Sequence, residues 1–232
     1  MKFDTPATKN PIDQMKVVGR AHDRIDGPLK TTGTASYAYE WHEEVPDAVY
    51  GYVVGAAIAK GQITAMDLLA AEAAPGVLAI VTAANAGELG KGDMNAATLL
   101  GGPQIEHYHQ AIAVVVAETF EQARAAASLI HVEYQRESGA YSLAEQKPAV
   151  TMPPENTPDK TAGDFASAFA DSPVQHDALY TTPDQSHMAM EPHASLAVWE
   201  GDHLILRTSN QMIAWCRSEL AKTLKIPEEK SA

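Results

Sequence analysis

Three apolar runs, each far too short to cross a membrane, set what this chain can fold into. Val49–Ile58, Val77–Val81 and Ala111–Ala117 are nearly continuous stretches of Val, Ile, Ala and Leu broken only by Gly and Tyr. Runs of this length between turn formers suit strands covered on both faces of a sheet. A membrane helix needs about 18 or more apolar residues in a row, and the sequence has no such stretch. Between the first two runs, Gly61 reads as a turn, and Ala65–Ala74 reads as a short amphipathic helix carrying Met66, Leu69 and Ala73 at helical spacing. Pro75 and Gly76 end that helix. The resulting strand–helix–strand order resembles a crossover unit.

The remaining elements follow from punctuation and periodicity. Thr31–Tyr39 reads as a short strand after the turn-rich Gly19–Pro28, and Asn85–Gln110 reads as a long surface loop. Glu118–Leu129 reads as a helix with Phe120, Ala123, Ala127 and Ser128 on one face, and Ile130–Tyr134 as an alternating strand. Gln135–Asp164 gathers Pro148, Pro153, Pro154 and Pro158 with few large apolar residues, the composition of an extended linker. Helical turns are expected at Phe165–Phe169 and a strand at Val174–Thr181. A hairpin follows, with strands Ala194–Trp199 and His203–Thr208 around Glu200, Gly201 and Asp202. The last element is a helix over Met212–Leu224 with Ile213, Leu220 and Leu224 on one face, stopped near Pro227. The fold class is α+β, with a mixed sheet first and a second β-rich domain beginning. The expected organisation is an N-terminal arm over 1–18, a domain over 19–135, a linker over 136–173 and a second domain opening over 174–232.

Charge and cysteine usage exclude several functions. A net charge of −13 argues against a nucleic-acid partner, which requires clustered Lys and Arg. The single cysteine, Cys216, forms no disulfide within the chain and builds no thiolate cluster for zinc or iron–sulfur; inside a helix, it is expected to be buried and inert. The polar N-terminus, MKFDTPATKN, has no apolar run after its charges, so these residues are not expected to act as a secretory signal. No membrane partner is expected.

Nine histidines invite a search for metal sites. His107 and His109, two residues apart, would point to the same side of a strand and could share a zinc ion in a hydrolase. Catalytic zinc needs a third protein ligand, and a polar loop ahead of a buried strand explains the pair more simply. Glu191 and His193 flank Pro192 and could form an acid–base pair, although a strand start with His193 bonded to a carbonyl is the plainer reading. Met188 and Met190 could serve soft copper but read more simply as core methionines. No phosphate-binding glycine loop and no hydrolase elbow is present.

Four segments, in order, resemble the large subunits of the molybdenum hydroxylases, the xanthine dehydrogenases and aldehyde oxidoreductases. They are Val18–Arg20 with Asp26–Tyr37 (DGPLKTTGTASY); Tyr50–Ile63 with Pro75–Thr82; Gln110–Glu118 with Gln122–Ala127 and Val132–Tyr134; and His187–His193 (HMAMEPH) with Ala197–Trp199 and Thr208–Gln211 (TSNQ). The resemblance covers about Lys16 to Pro227 and is nearest to the periplasmic three-subunit aldehyde oxidoreductases of enteric bacteria. It implies an α/β-hammerhead domain over 19–135, followed by the beginning of a molybdopterin-binding domain over 174–232. It further implies molybdenum-dependent oxidation of aldehydes to carboxylic acids with a molybdopterin cytosine dinucleotide cofactor, and electrons leaving through an iron–sulfur subunit and an FAD subunit. Gln211 matches the family glutamine whose amide approaches the oxygen ligands of the metal. Glu191 and His193 match a structural signature, so no catalytic and no metal-ligating residue is assigned. The resemblance implies a periplasmic location, with a partner carrying the export signal, or a cytoplasmic one for an unpartnered chain. The family's glycine-rich cofactor loop and its catalytic glutamate have no counterpart in these residues. The expectation is therefore a truncated chain that neither holds the cofactor well nor turns over substrate alone. The alternative is a hammerhead module that binds iron–sulfur or flavin partners without catalysis.

Overall fold

The computed structural model describes residues 17, 19–38, 40–93, 99–146, 162–190 and 192–231. Apart from Val17, the expected N-terminal arm lies outside these residues. The backbone forms two compact units that are not consecutive in sequence: Val49–Pro192 with Glu219–Ile226, and Met1–Ala48, His193–Ser218 and Pro227–Ala232. In chain order the elements are α1 (Gly27–Thr32), a 3-10 turn (Glu40–Glu44), β1 (Tyr50–Gly55), β2 (Gly61–Asp67), α2 (Leu69–Glu72), β3 (Val77–Thr82), β4 (Gln104–Ile105), β5 (Ala111–Ala117), α3 (Phe120–Ala127), β6 (His131–Arg136), α4 (Leu143–Gln146), α5 (Phe165–Ala170), β7 (Ser195–Glu200), β8 (His203–Thr208), α6 (Ile213–Leu224) and a 3-10 turn (Glu228–Lys230).

The larger unit is built on two three-stranded sheets, β1-β5-β3 and β4-β2-β6, rather than on one mixed sheet. β5 pairs antiparallel with both β1 and β3, with Val53 and Val81 each opposite Val114. β1 and β3 therefore run parallel, but β5 lies between them, so the expected crossover pair is split. Only β5 is covered on both faces; Ile112, Ala113, Val115 and Ala117 are buried, while Val53 on β1 and Leu78 on β3 are half exposed. β1 and β3 are edge strands, and their continuous apolar runs overstate their burial. A core of Ala71, Ile80, Ala113, Val115 and Ala126 fills the space under α3. Ala123 and Ala126 are fully buried, because a helix with small side chains can approach a sheet closely. These two alanines, rather than Phe120 and Ser128, form the inward stripe of α3.

α3 starts where its sequence says it should. The Thr119 hydroxyl accepts the Gln122 N–H at 3.2 Å, and the Gln122 side chain accepts the Thr119 N–H at 3.0 Å. Two backbone donors with no intrahelical acceptor are satisfied reciprocally. Thr119→Ala is expected to lower the stability of this unit by about 1 kcal/mol, read from the urea midpoint; Thr119→Ser should recover most of it.

The expected helix over Ala65–Ala74 begins as strand, Ala65–Asp67 closing β2, and is helical only over Leu69–Glu72. β2 pairs with β6 from Gly61↔Arg136 to Asp67↔His131, with a bulge between Ile63 and Ala65. The bulge breaks the strict alternation of a strand and leaves Met66 at a spacing that imitates a helix. Met66 and Ile63 pack against Ala56, Ile58, Ile105 and Ile112 in a second core. Helix forms only after Asp67, whose carboxylate accepts the Leu69 N–H at 3.0 Å. The long loop is also more ordered than its composition suggests. Gln110 is buried, with its side chain accepting from Glu106 N–H and donating to the Gln104 carbonyl, and this shapes the two-residue β4. Further back, the Gly90 N–H donates to the Thr223 carbonyl at 2.8 Å, and Lys222 and Lys225 reach Asp93 and Glu88.

Two further expectations are corrected. Val174–Thr181 forms no strand; it has no ladder partner among the described residues, and Leu179 and Tyr180 are exposed. Of the expected strand Thr31–Tyr39, the described residues 31–38 form none, and α1, Gly27–Thr32, takes its first two residues. Pro28 presets the first helical turn, and Asp26 pairs with Lys30 one turn later at 2.9 Å. The Thr31 and Thr32 hydroxyls donate back to the Gly27 and Pro28 carbonyls, and Gly33 closes the helix in the left-handed region at φ 74°. Asp26 stays ionised well into acid, with its pKa lowered to about 2, first by the Lys30 hydrogen bond and then by that of Arg24.

Candidate cofactor contact beyond the hairpin

In the smaller unit, β7 and β8 pair in register from Ser195↔Thr208 to Glu200↔His203, leaving Gly201 and Asp202 as a two-residue turn. Gly201 has φ 65°, and Asp202 is not in the positive-φ region, which is the backbone pattern of a II′ hairpin turn. The Asp202 carboxylate is held below its ordinary pKa by Lys230 foremost, at 2.7 Å, and by His203. At the open end of the hairpin, Ser195 Oγ and Thr208 Oγ1 are 2.7 Å apart. The Arg207 guanidinium lies 3.8 Å from the centre of the Trp41 ring and donates to Glu44 at 3.0 Å. Cation, ring and carboxylate together tie β8 to the 3-10 turn at Glu40–Glu44.

β8 ends at Thr208 and α6 begins at Ile213. Between them, Asn210 Oδ1 accepts the Met212 N–H at 2.7 Å, and the Met212 carbonyl accepts the first helical bond, from Cys216. Gln211 sits at the corner of this turn with its side chain exposed. Its amide is neutral and can donate or accept. That chemistry fits a hydrogen bond to an oxygen of a large anionic cofactor. Several cations of the same unit are committed elsewhere: Arg207 to Trp41 and Glu44, Arg217 to the Glu228 carbonyl and Lys230 to Asp202. The described residues thus offer one fitting contact without a cationic cradle around it.

The other sequence candidates do not converge. His107 and His109 lie in the loop before β5 rather than on a strand, and both are exposed. His107 Nδ1 is 3.0 Å from the Tyr108 carbonyl, and His109 lies over Gly55, whose Cβ would fall 2.5 Å from the ring. No group of three metal-binding side chains occurs among the described residues. Met188 and Met190 are almost fully exposed and are not core residues in these units. His187 and His193 are exposed, and Glu191 lies outside the described residues. Cys216 is partly exposed rather than buried, although it lies on the same face of α6 as the buried Thr223. Sequence reasoning missed Asn210, although a side-chain acceptor just ahead of a helical run is a recognisable start signal. No helix of the described residues is long and apolar enough to cross a membrane.

Comparison with known proteins adds the family. Residues 34–138 match the α/β-hammerhead domain of aldehyde oxidase and xanthine dehydrogenase, and residues 146–231 match the molybdopterin cofactor-binding domain. The chain is 73% identical over 229 residues to the aldehyde oxidoreductase molybdenum-binding subunit PaoC of Escherichia coli K12, covering 99% of this chain and 31% of that protein. It is 27% identical over 224 residues to the nicotinate dehydrogenase large molybdopterin subunit of Eubacterium barkeri, covering 93% of this chain and 52% of that one. The chain thus spans about a third to a half of the length of these relatives. Its fold is shared with quinoline 2-oxidoreductase from Pseudomonas putida 86 at a TM-score of 0.71 and 22% identity, over 92% of this chain and 29% of that one. It is shared with the aldehyde oxidoreductase of Desulfovibrio gigas at a TM-score of 0.70 and 21% identity, over 90% of this chain and 25% of that one. The two sheets with their helix, the hairpin that follows and the two consecutive domain matches agree: this chain belongs to the aldehyde oxidase and xanthine dehydrogenase family, as a hammerhead domain followed by molybdopterin-binding-domain sequence.

Proposed function

We propose that these residues serve a molybdenum-dependent oxidoreductase that converts aldehydes to carboxylic acids, as part of its molybdenum-binding subunit. The observation that carries this reading is the 73% identity to an aldehyde oxidoreductase subunit across 99% of the chain. When bound, the molybdenum–molybdopterin group supplies the two-electron oxidation. The contribution of this chain is to hold and orient. Gln211 donates its amide N–H to an oxygen of the cofactor without adding charge, and the Arg207–Trp41–Glu44 contact steadies the strand that leads to it. The finer parts of the proposal are a cytosine dinucleotide form of the cofactor, an iron–sulfur subunit and an FAD subunit as partners, and a periplasmic location reached with a partner that carries the export signal.

The test is the assembled enzyme, co-produced with its neighbouring subunits and assayed with aromatic and aliphatic aldehydes against a dye acceptor, with xanthine in parallel. Aldehyde turnover well above xanthine turnover, release of CMP on acid hydrolysis of the cofactor, and recovery from the periplasmic fraction are expected. A molybdenum-loaded assembly that leaves every aldehyde unoxidised would overturn the reading.

A further inference from the structure

We propose that Asn210 is a positioning residue for Gln211. The proposal rests on the reading of Gln211 as a cofactor contact and extends it to the group that fixes its direction. The Asn210 side chain bonds the backbone two residues on, with Oδ1 2.7 Å from the Met212 nitrogen. Because the donor is a backbone N–H, the atom facing it must be the carbonyl oxygen of the Asn210 amide. The closed ring mimics a backbone turn with Gln211 at its centre. Each side of the turn is anchored independently: Thr208 by Ser195 at 2.7 Å, and Met212 by the α6 bond from Cys216 at 2.9 Å. Gln211 itself is exposed, with no side-chain hydrogen bond to another of the described residues. Its orientation is therefore set by backbone geometry, and the Asn210 oxygen is the side-chain atom that closes that geometry. Met212 is half exposed, so water replaces the bond when Asn210 is removed. Fold and helix survive, but Gln211 is released to sample several directions.

The experiment uses the assembled, molybdenum-loaded enzyme and compares Asn210→Ala, Asn210→Asp and Gln211→Ala. Rates are taken per bound molybdenum, and the molybdenum electron paramagnetic resonance spectrum is recorded for each. Asn210→Ala is expected to lower kcat roughly tenfold, the scale of a misplaced polar contact, with KM little changed and an altered spectrum. Asn210→Asp keeps the acceptor oxygen and is expected to restore both spectrum and rate to within about threefold of the parent. Gln211→Ala should alter the spectrum at least as much as Asn210→Ala. If Gln211→Ala leaves rate and spectrum unchanged, the reading of Gln211 falls and this proposal with it. If Gln211→Ala changes both while Asn210→Ala changes neither, or Asn210→Asp is as impaired as Asn210→Ala, the positioning role of Asn210 is overturned and the reading of Gln211 stands.

Discussion

Gly61→Ala is expected to destabilise the larger unit by about 3 kcal/mol or more, whereas Gly102→Ala should cost only about 1 kcal/mol. Both glycines occupy backbone that an L side chain avoids, with φ 140° at Gly61 and φ 109° at Gly102. Their surroundings differ. A Cβ on Gly61 would meet the Gln135 carbonyl oxygen at 2.1 Å, the Ile58 side chain at 3.0 Å and the Arg136 Cα at 3.1 Å, while one on Gly102 meets nothing within 4 Å. The Gln135 oxygen is backbone of β6, so relieving the clash means parting β2 from β6 at the Gly61↔Arg136 pair. That pair borders the second core, where Ile58 and Ile105 are buried. Strain alone acts at Gly102; strain, clash and loss of pairing act together at Gly61. Urea unfolding of the 232-residue polypeptide followed by circular dichroism separates the two cases. Equal midpoint shifts for the two variants would show that the close approach of β6 to Gly61 is wrong.

Gly61 also illustrates which parts of the fold can be read from sequence. β5, the β7–β8 hairpin and α3 are legible because their signals are local: a β-branched run, a Gly201–Asp202 turn between alternating stretches, and a Thr119–Gln122 capping box. β2 is hidden because a bulge at Ile63–Ala65 shifts its side chains out of period two. The splitting of β1 from β3 by β5 is non-local, and no pattern within either strand records it. Val174–Thr181 has the composition of a strand, but a strand exists only where another lends it hydrogen bonds. α1 depends on a balance that β-branched Thr31 and Thr32 tilt the wrong way until Pro28, the Asp26–Lys30 pair and Gly33 are counted together. At the candidate site, Gln211 became visible through resemblance, since one exposed amide has no signature in composition or spacing. The role of Asn210 needed geometry, because an asparagine two residues before a helical run also suits an ordinary loop.

The 232-residue polypeptide, produced in a host that makes the molybdopterin cofactor, is expected to carry less than about a tenth of an equivalent of molybdenum. A pterin dinucleotide is a large anion, and holding one requires hydrogen-bond donors and cations converging from several sides. The smaller unit supplies Gln211, exposed and neutral, at the corner of one turn. Arg207, Arg217 and Lys230 of this unit already have partners, and Arg207 cannot leave Trp41 and Glu44 without giving up both the ring contact and an ion pair. A net charge of −13 further disfavours an anion. One charge-free hydrogen bond contributes on the order of 1 kcal/mol, whereas micromolar retention of a ligand through purification needs about 8 kcal/mol. The shortfall is several kilocalories per mole. Inductively coupled plasma mass spectrometry on the purified polypeptide, beside the full-length subunit prepared identically, decides it. Equal molybdenum in the two preparations would mean that these residues alone form a competent cofactor cradle, and that the committed cations described here are free to turn toward it.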